Sequence, residues 1–407
     1  MRFFFFPTGI ALLCAWPLLA RATPQAPPAP ITLEAAIQRA FDNNPSLRAA
    51  GADIDIAAGQ RLQAGAVPNP SLSYLSEGIR HDNRTTTLLL SQPIELGGKR
   101  GARITLAERE RDVAAAELAM QRNVLRANVV SAFFDVLTGQ QRGQLAQASL
   151  TLAQQVTGTV ARRVTAGKVS PVEESRARVA EASARIALSQ ASSELAMARG
   201  RLAATWGSTG IDVTVLETPA QPPARPVPLA EAPQIVLARS DIARQQAAAA
   251  VERSRRSPDV TVSVGTRHDV QSGIRQAVIG VALPLPLFDR NQGNLLSALR
   301  RTDKAKDTLL AVESSVALDL AQATLRRDAA LDALAILQRD ILPGAESTYA
   351  ASTRGFELGK FGFLEVLDAQ RTLFEARQET LRALADSYRA SADIDRIAGT
   401  APTTRTP

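Results

Sequence analysis

Cysteine is almost absent from this 407-residue sequence, because Cys14 is its only thiol. It lies within residues 1–22, where Arg2 is followed by the long apolar run that is typical of a secretory signal peptide. Cleavage would start the mature chain at Thr23, which would then have no thiol. This excludes disulfides and cysteine metal sites. Leu13 is not the small residue that a lipidation site needs before its cysteine.

Aromatic residues and residues that could bind metals or act as nucleophiles in recognisable motifs are scarce as well. Aromatic residues make up 4% of the chain, which is thin for a large globular core, and histidine occurs twice. No closely spaced histidine pair or methionine cluster offers a selective metal site, and no G-x-S-x-G nucleophile motif is present. The GGKRG stretch at 97–101 lacks the spacing of a phosphate-binding loop. The sequence therefore predicts neither an enzyme nor a bound cofactor.

Charge of one sign does not dominate the mature chain. The formal charge of +7 falls to +5 when Arg2 and Arg21 are removed with the signal peptide. Basic and acidic residues are interspersed along predicted helices, which is the pattern of solvated helix faces and excludes a nucleic-acid footprint. Beyond the signal peptide, no apolar run reaches the ~18 residues that a membrane helix needs.

The tip of a long helical hairpin is predicted within residues 353–374. Gly359 breaks a helical pattern, a tight turn follows, and a second helical pattern begins at Leu364. Apolar residues then recur in steps of seven, as in a coiled-coil seam: Leu367, Phe374, Leu381 and Tyr388. A twin tip is predicted within residues 162–179.

A spacing of 192 residues relates the two tips and indicates an internal duplication. It also relates three pairs of glycines: Gly101 and Gly293, Gly167 and Gly359, and Gly207 and Gly399. The predicted organisation is a signal peptide at 1–22, a first repeat at 23–217, a proline-rich linker at 218–232, a second repeat at 233–400 and a tail at 401–407.

Each repeat is predicted to hold a β-hairpin, a long helix and a return helix. The hairpins are expected at about 70–94 and 258–284, and the helical tips at about 165–171 and 357–363. The helix from about 100 to 166 contains no proline and would extend roughly 100 Å. Its counterpart is expected to be interrupted or kinked at Pro343.

The predicted strands alternate in a way that fits a transmembrane barrel. Val260, Val262 and Val264 are separated by small or polar residues. Taken alone, each hairpin is more typical of an ordinary surface hairpin. Four strands cannot close a barrel, so a membrane-spanning arrangement requires several chains, and three chains would supply twelve strands. The long amphipathic helices need partners for the same reason.

The chain resembles the TolC family of outer-membrane efflux channels from about Ile31 to Gly399. The resemblance rests on the duplicated layout and on the tip motifs LGKFGFLEVLDAQRTLFEAR and AGKVSPVEESRARV. Two further segments, LSQPIELGGKRGAR and VALPLPLFDRNQGN, resemble the heavy-metal branch, which contains the CzcC-like components of cobalt-zinc-cadmium efflux systems.

The resemblance implies a mainly α fold with a small β part. Three chains would form a homotrimer in which long antiparallel helical hairpins build a periplasmic α-barrel. Four strands per chain would contribute to a 12-stranded transmembrane β-barrel, in contact with outer membrane lipid. The hairpin tips would meet a periplasmic adaptor (membrane fusion) protein and an inner-membrane pump of the resistance-nodulation-division (RND) class. The chain would be a passive export duct, in this branch for heavy-metal cations.

The resemblance also implies a pore constriction near the second tip. Its acidic positions fall on Glu365 and Asp368, which share one helix face and would form stacked carboxylate rings in a trimer. Phe361 stands where better-known members carry an arginine that helps to lock the closed state. Closure is therefore expected to be apolar, or to use Glu173 and Arg176 of the other tip. The alternative is that Glu365 and Asp368 are solvated helix charges.

Two further groups of residues are candidates for binding. The two tips are expected to dock the adaptor or pump, through Gly167 and Lys168 in the first tip and Gly359 and Lys360 in the second. The alternative is that they are plain turns with solvated lysines. The histidines, His81 and His268, are expected in hairpin loops as weak metal candidates, with solvated loop residues as the favoured alternative.

Two other functions remain open on the sequence. One is a duct of the same family that serves drug efflux or type I secretion. The other is a periplasmic coiled-coil structural protein whose hairpins never enter a membrane.

Overall fold

The computed structural model describes residues 30–78, 80, 83–209, 215 and 228–399. The predicted signal peptide, the tail at 401–407, His81 and most of the predicted linker lie outside these described residues. The chain is mainly helical with one small sheet. In order, its elements are α1 (Leu33–Asn43), α2 (Pro45–Ala64), β1 (Ser71–Glu77), β2 (Thr85–Ile94), α3 (Lys99–Thr165), α4 (Pro171–Ala204), a 3-10 turn (Leu229–Glu231), α5 (Pro233–Ser254), β3 (Val260–Asp269), β4 (Arg275–Ala282), α6 (Gln292–Ile336), a π turn (Leu337–Ile341), α7 (Leu342–Glu357) and α8 (Phe363–Ala398).

Polar caps and prolines fix where several helices begin. The Ala35 N–H donates to the Thr32 side chain at 3.3 Å at the start of α1. The Asn44 side chain caps α2 by accepting from the Leu47 N–H at 2.9 Å. Pro171 occupies the first turn of α4, as predicted, where the missing N–H of proline has no helical partner to lose.

The two long helices differ at one point. Helix α3 continues without interruption for 67 residues. Its counterpart widens into the π turn just before Pro343 and resumes as α7. Proline removes one hydrogen bond to the carbonyl four residues earlier and clashes with it, and a wider turn relieves that clash. The predicted interruption at Pro343 is confirmed.

The helices form a layer with two open sides. Helix α3 lies at its centre and packs against α2, α4, α5 and α8. Helix α8 packs against α6 and α7, so the order near the tips is α4, α3, α8 and α7. Helix α4 therefore lies at one edge of the layer, and α6 and α7 lie at the other.

The largest core cluster lies where the two repeats meet. It joins α1, α3, α4 and α8 around the fully buried side chains of Phe133, Phe134 and Leu202. The rings of Phe134 and Tyr388 stack with centroids 3.7 Å apart. The small number of aromatic residues is thus concentrated at this junction, while alanine fills most other helix contacts.

The coiled-coil seam predicted for α8 is displaced by about one residue. The side chains of Leu367, Phe374 and Leu381 are only half-buried, and Tyr388 alone of the four is buried. The most buried positions nearer the tip are instead Val366, Ala369, Leu373 and Ala376. Helix α8 packs on two sides, against α3 and against α6 and α7, so its buried positions combine larger apolar residues with alanines that allow close approach.

The sheet joins the two repeats edge to edge. Its four strands are antiparallel in the order β1-β2-β3-β4. The register places Leu90 opposite both Leu72 and Val264, and places Val264 opposite Ile279. Residue His268 lies inside β3, paired with Thr86 and Arg275, so its predicted place in a hairpin loop is wrong. Strand pairing with β2 extends β3 to Asp269, five residues beyond the last alternating valine, Val264.

No helix among the described residues is both long enough and apolar enough to cross a membrane.

Charged side chains fasten the sheet to the helices. Lys99 Nζ lies 2.7 Å from Asp259 Oδ1, and the Leu96 N–H donates to the same oxygen at 3.2 Å. Arg103 forms a bidentate ion pair with Glu95, in which Nη2 donates to Oε2 at 2.9 Å. The Glu95 side chain is only 15% exposed. The turn between β2 and α3 is thereby fixed both to its own helix and to the start of the second hairpin.

We expect Glu95→Gln to lower the free energy of unfolding by about 1–3 kcal/mol, because it leaves the Arg103 guanidinium without its charged partner. The matched control is Glu379→Gln, whose partner Arg382 lies 3.7 Å away with both side chains mostly exposed. An exposed pair of this kind contributes at most about 1 kcal/mol. Thermal unfolding of the detergent-solubilised proteins measures both, and equal losses would contradict the prediction.

The effect of Glu95→Gln should also depend on pH. Hydrogen bonding and charge from Arg103 hold the pKa of the Glu95 carboxyl below its usual value, against the opposing effect of burial. A lowered folded-state pKa adds stability above the unfolded pKa, and that stability is lost as the pH falls through the folded pKa. The difference between wild type and variant should therefore be full at neutral pH and shrink on acidification.

Candidate functional site

The two helical tips have the same backbone structure. Gly167 and Gly359 adopt left-handed φ angles of 70° and 72°. The Lys168 N–H donates to the Arg163 carbonyl at 2.9 Å, and the Lys360 N–H donates to the Gly355 carbonyl at 2.8 Å. This is the Schellman pattern that ends a helix on glycine. The turns predicted at the two tips are present, and both lysines are exposed at the ends of the hairpins.

The tips lie against each other within one chain. A small apolar cluster joins Val160 and Ala177 of the first hairpin to Phe356 and Leu367 of the second. The Arg163 guanidinium lies over the Phe356 ring, 4.3 Å from its centroid. A cation above an aromatic face is attracted by the electron density of the ring. The two hairpins therefore end as one joined unit.

Phe361 folds back onto its own hairpin. A Cβ added at Gly355 would come within 2.1 Å of Phe361 Cδ2, so the ring occupies the space that any other residue at 355 would need. The Phe361 N–H also donates to the Gly355 carbonyl at 3.3 Å. The Phe361 side chain is 48% exposed, so half of it remains available to solvent or to another molecule. The apolar residue predicted for closure is thus already packed within its own chain.

Glu365 and Asp368 occupy the first two turns of α8. The Glu365 carboxylate lies above Gly362, close enough that a Cβ there would meet Oε2 at 2.8 Å. A carboxylate at this position also interacts favourably with the positive end of the helix dipole. Both side chains are exposed. Asp368 lies one turn further along, and its charge acts on the Arg371 guanidinium.

Glu173 and Arg176 lie in the first turns of α4. Glu173 is half-buried and Arg176 is exposed. Within the described part of the chain, neither side chain forms an ion pair with the other tip. The structure therefore brings the two tips together through apolar and cation–aromatic contacts, and the predicted use of Glu173 and Arg176 remains a prediction.

Metal-binding groups are sparse in the described part of the chain. No group of three or more histidine, cysteine, aspartate or glutamate residues is placed to hold an ion there. His268 is half-buried in β3, and its Nδ1 is buried without a hydrogen-bond partner among the described residues. Its strand neighbours Thr86 and Arg275 are not metal ligands.

Sequence reasoning missed three contacts at the tips. They are the Phe361 ring over Gly355, the Arg163 guanidinium over Phe356 and the Glu365 carboxylate over Gly362. One signal was available, since Gly355 and Gly362 flank the turn and glycines at fixed places often mark close approach. The partners of those glycines depend on the turn geometry, which the sequence pattern does not specify.

Comparison with known proteins identifies a family for almost the whole chain. A family model described as "Outer membrane efflux protein" matches residues 36–208 and again residues 227–400. Each match covers one of the two structural repeats.

Curated relatives give a closer comparison. The chain is 43% identical to the cobalt-zinc-cadmium resistance protein CzcC of Cupriavidus metallidurans, over 98% of this chain and 100% of that protein. It is 33% identical to the nickel and cobalt resistance protein CnrC of the same organism, over 72% of each chain.

Solved structures share the fold at low sequence identity. The outer membrane protein VceC of Vibrio cholerae aligns with a TM-score of 0.76 at 22% identity, covering 90% of this chain and 96% of that one. The open state of the Neisseria gonorrhoeae MtrE outer membrane channel aligns with a TM-score of 0.73 at 20% identity, covering 90% and 88%.

We expect Gly355→Ala to destabilise the second tip by about 1–3 kcal/mol, because the added methyl must displace the Phe361 ring. Adding Phe361→Ala to that variant should recover part of the loss, since the clash is then absent. A double-mutant cycle by thermal unfolding measures this coupling.

The matched control for this prediction is Gly344→Ala in the same helix. A Cβ at Gly344 meets no atom within 4 Å. Alanine there should be neutral or stabilising, by up to about 1 kcal/mol, because glycine weakens helices. If Gly355→Ala behaved like Gly344→Ala, the packing of Phe361 on Gly355 would be refuted.

Proposed function

The chain belongs to the outer membrane efflux protein family, and we propose that it is the channel of a three-part efflux system that exports heavy-metal cations. It is an outer-membrane efflux channel component with a large periplasmic part, and it is not an enzyme. The proposal adds the substrate, the assembly and the partners to this family assignment.

One observation supports the proposal that the substrate is a metal cation. The identity of 43% to a cobalt-zinc-cadmium resistance protein extends over 98% of this chain and includes both tips. The described residues offer no cluster of metal ligands, so the channel supplies a path rather than a binding site. Selection of the metal then belongs to an inner-membrane pump, which also supplies the energy.

The sheet supports assembly into a homotrimer. Strands β1 and β4 lie at its two edges, and each pairs on one side only among the described strands. An unpaired edge is costly in hydrocarbon, because no water is present to satisfy its backbone groups. Pairing β1 of one copy with β4 of the next removes every edge once the ring closes. Three copies give a closed barrel of twelve strands.

The helices support the same assembly. Helix α4, at one edge of the layer, exposes an apolar stripe made of Val172, Val179, Ile186 and Met197. Helix α6, at the other edge, exposes a second stripe made of Leu310, Leu318, Leu325 and Ile336. Exposed apolar stripes on long helices indicate contact with further helices. Contact between the α4 stripe of one copy and the α6 stripe of the next is heterologous and closes as a ring.

The constriction is proposed at Glu365 and Asp368. Both carboxylates are exposed beside the second tip, and neither forms an ion pair within the described chain. Three copies would present six carboxylates, which attract cations and repel anions. Phe361, Glu173 and Arg176 lie nearby and would complete the closed end.

The exposed lysines at the tips are the proposed docking points for the periplasmic adaptor and the RND pump. Lys168 and Lys360 lie on matched Schellman turns at Gly167 and Gly359, so each chain presents two similar ends. The joined tips would offer an adaptor one surface rather than two independent hairpins.

We expect Ile186→Glu to shift the protein from trimer to monomer in mild detergent, because it places a charge within the proposed contact between copies. The matched control is Ser192→Glu, at an exposed position on another face of the same helix. Light scattering after size exclusion measures the mass. A trimer that survives Ile186→Glu unchanged would exclude this stripe from the contact.

We expect purified wild-type protein to form small cation-selective channels in planar bilayers. The double variant Glu365→Gln, Asp368→Asn should lower the cation selectivity and weaken block by divalent cations, because it removes six carboxylates per trimer. The control is Glu375→Gln, a carboxylate on the same helix that is already paired with Arg371 at 2.8 Å.

Unchanged selectivity in the double variant would remove these residues from the pore. The substrate is tested separately by growth of a deletion strain on zinc, cobalt and cadmium. Restored metal resistance with the wild-type gene supports the metal assignment. Restored drug resistance or secretion without a metal phenotype would favour a duct for those substrates instead.

A further inference from the structure

One face of the sheet is apolar along most of its length. The register places consecutive residues in cross-strand rows, and side chains in one row point to the same side of the sheet. Four rows on this face, here called the outward face, are mainly apolar: Ile94 with Val260; Gln92 with Val262 and Val281; Leu72 with Leu90, Val264 and Ile279; and Tyr74 with Leu88, Thr266 and Ala277. Ile279 is 80% exposed and Val281 is 70% exposed.

The height and orientation of these rows fit a membrane. Rows lie two residues apart along a strand, so four rows extend over about 20 Å, close to the apolar band of about 25 Å in outer-membrane barrels. The long helices leave the sheet at the end that carries Ile94. The turn between β3 and β4 lies at the opposite end, which therefore faces the outer leaflet.

A cluster of basic residues follows the last apolar row at that end. His268 pairs directly with Arg275, and both occupy outward-face positions. Arg84 continues the alternation of β2 by one residue, where its carbonyl accepts from the Val270 N–H at 3.0 Å. Arg84, His268 and Arg275 are here called the basic corner.

Among the residues that the structure describes, no acidic strand residue shares the face of the basic corner. Among the described strand residues, Glu77 and Asp269 are the acidic ones, and both occupy positions of the opposite face. The Asp269 carboxylate is engaged in the turn, where it accepts from the Gln271 N–H at 3.0 Å. Neither Arg84 nor Arg275 forms an ion pair with any described carboxylate, and both are exposed.

We propose that the basic corner binds phosphate groups of an anionic lipid in the outer leaflet of the membrane. The corner lies at the border of the apolar rows, where lipid headgroups meet the hydrocarbon. Guanidinium groups bind phosphate through paired charge-assisted hydrogen bonds, and Arg275 and Arg84 have that capacity free. His268 adds an imidazole ring in the same row as Arg275. The protein thus fixes its depth in the membrane by charge as well as by apolar contact.

This inference rests on the proposed function, since it requires that the outward face contacts lipid. Nothing in it depends on the substrate of the channel. Conductance in planar bilayers, measured on the same preparation, tests the channel separately from the lipid contact.

The test uses the purified mature protein in detergent with bisphosphorylated lipid A as the probe. Native mass spectrometry measures the apparent Kd of bound lipid. Arg275→Gln should weaken binding about tenfold, because one charge-assisted hydrogen bond contributes at least about 1.4 kcal/mol. Arg275→Lys should retain part of the binding, since it keeps the charge.

The matched control is Arg267→Gln, an exposed arginine on the neighbouring strand whose register places it on the opposite face. It should leave the apparent Kd unchanged. Equal weakening by Arg267→Gln, or equal binding of lipid A from which the phosphates have been removed, would overturn the proposal. Normal conductance together with either result would leave the channel function intact.

Discussion

One constraint shapes the whole structure: the sheet and the helical layer each have two edges that need a partner. A backbone N–H or carbonyl without a hydrogen-bond partner in hydrocarbon costs several kcal/mol, and a four-stranded sheet has two edges of such groups. The helices have the corresponding apolar problem, because α4 and α6 carry exposed apolar stripes that none of the described elements covers. In the proposed trimer both problems have one solution, which is repetition of the chain around a ring. One chain would therefore be a segment of a closed wall, formed by the sheets and helices of the three copies.

Internal duplication prepares the chain for that role. The two repeats supply equivalent hairpins and equivalent helical arms, so the wall is built from similar units that alternate around the ring. Pro45 and Pro233 begin corresponding helices, and each lies against the glycine that ends its own repeat, Gly207 or Gly399. The two repeats differ in their long helical arms. Only the second long arm carries the π turn before Pro343, and that arm leads to the tip that bears Glu365 and Asp368.

Features with a local cause were predictable from the sequence. Gly167 and Gly359 signalled turns because glycine tolerates positive φ, and Pro343 signalled an interruption because it lacks an N–H. Features that depend on a second segment were not. The buried positions of α8 differ from its heptad pattern because the helix packs on two sides, and β3 includes His268 because β2 continues beside it. Of the candidate site, the turns were predictable, whereas the packing of Phe361 on Gly355 required the turn geometry.

In the proposed channel, cations would pass tips at which the described residues form no cluster of metal ligands. A strong ligand cluster would retain divalent ions and slow their exit, whereas single exposed carboxylates attract cations without holding them. Glu365 and Asp368 have this character, since each is exposed and unpaired within the described chain. The contacts that join the tips are apolar or cation–aromatic, through Val160, Phe356 and Arg163. Such contacts carry no group that binds metal ions. In the proposed channel, closure and ion attraction would therefore belong to different side chains.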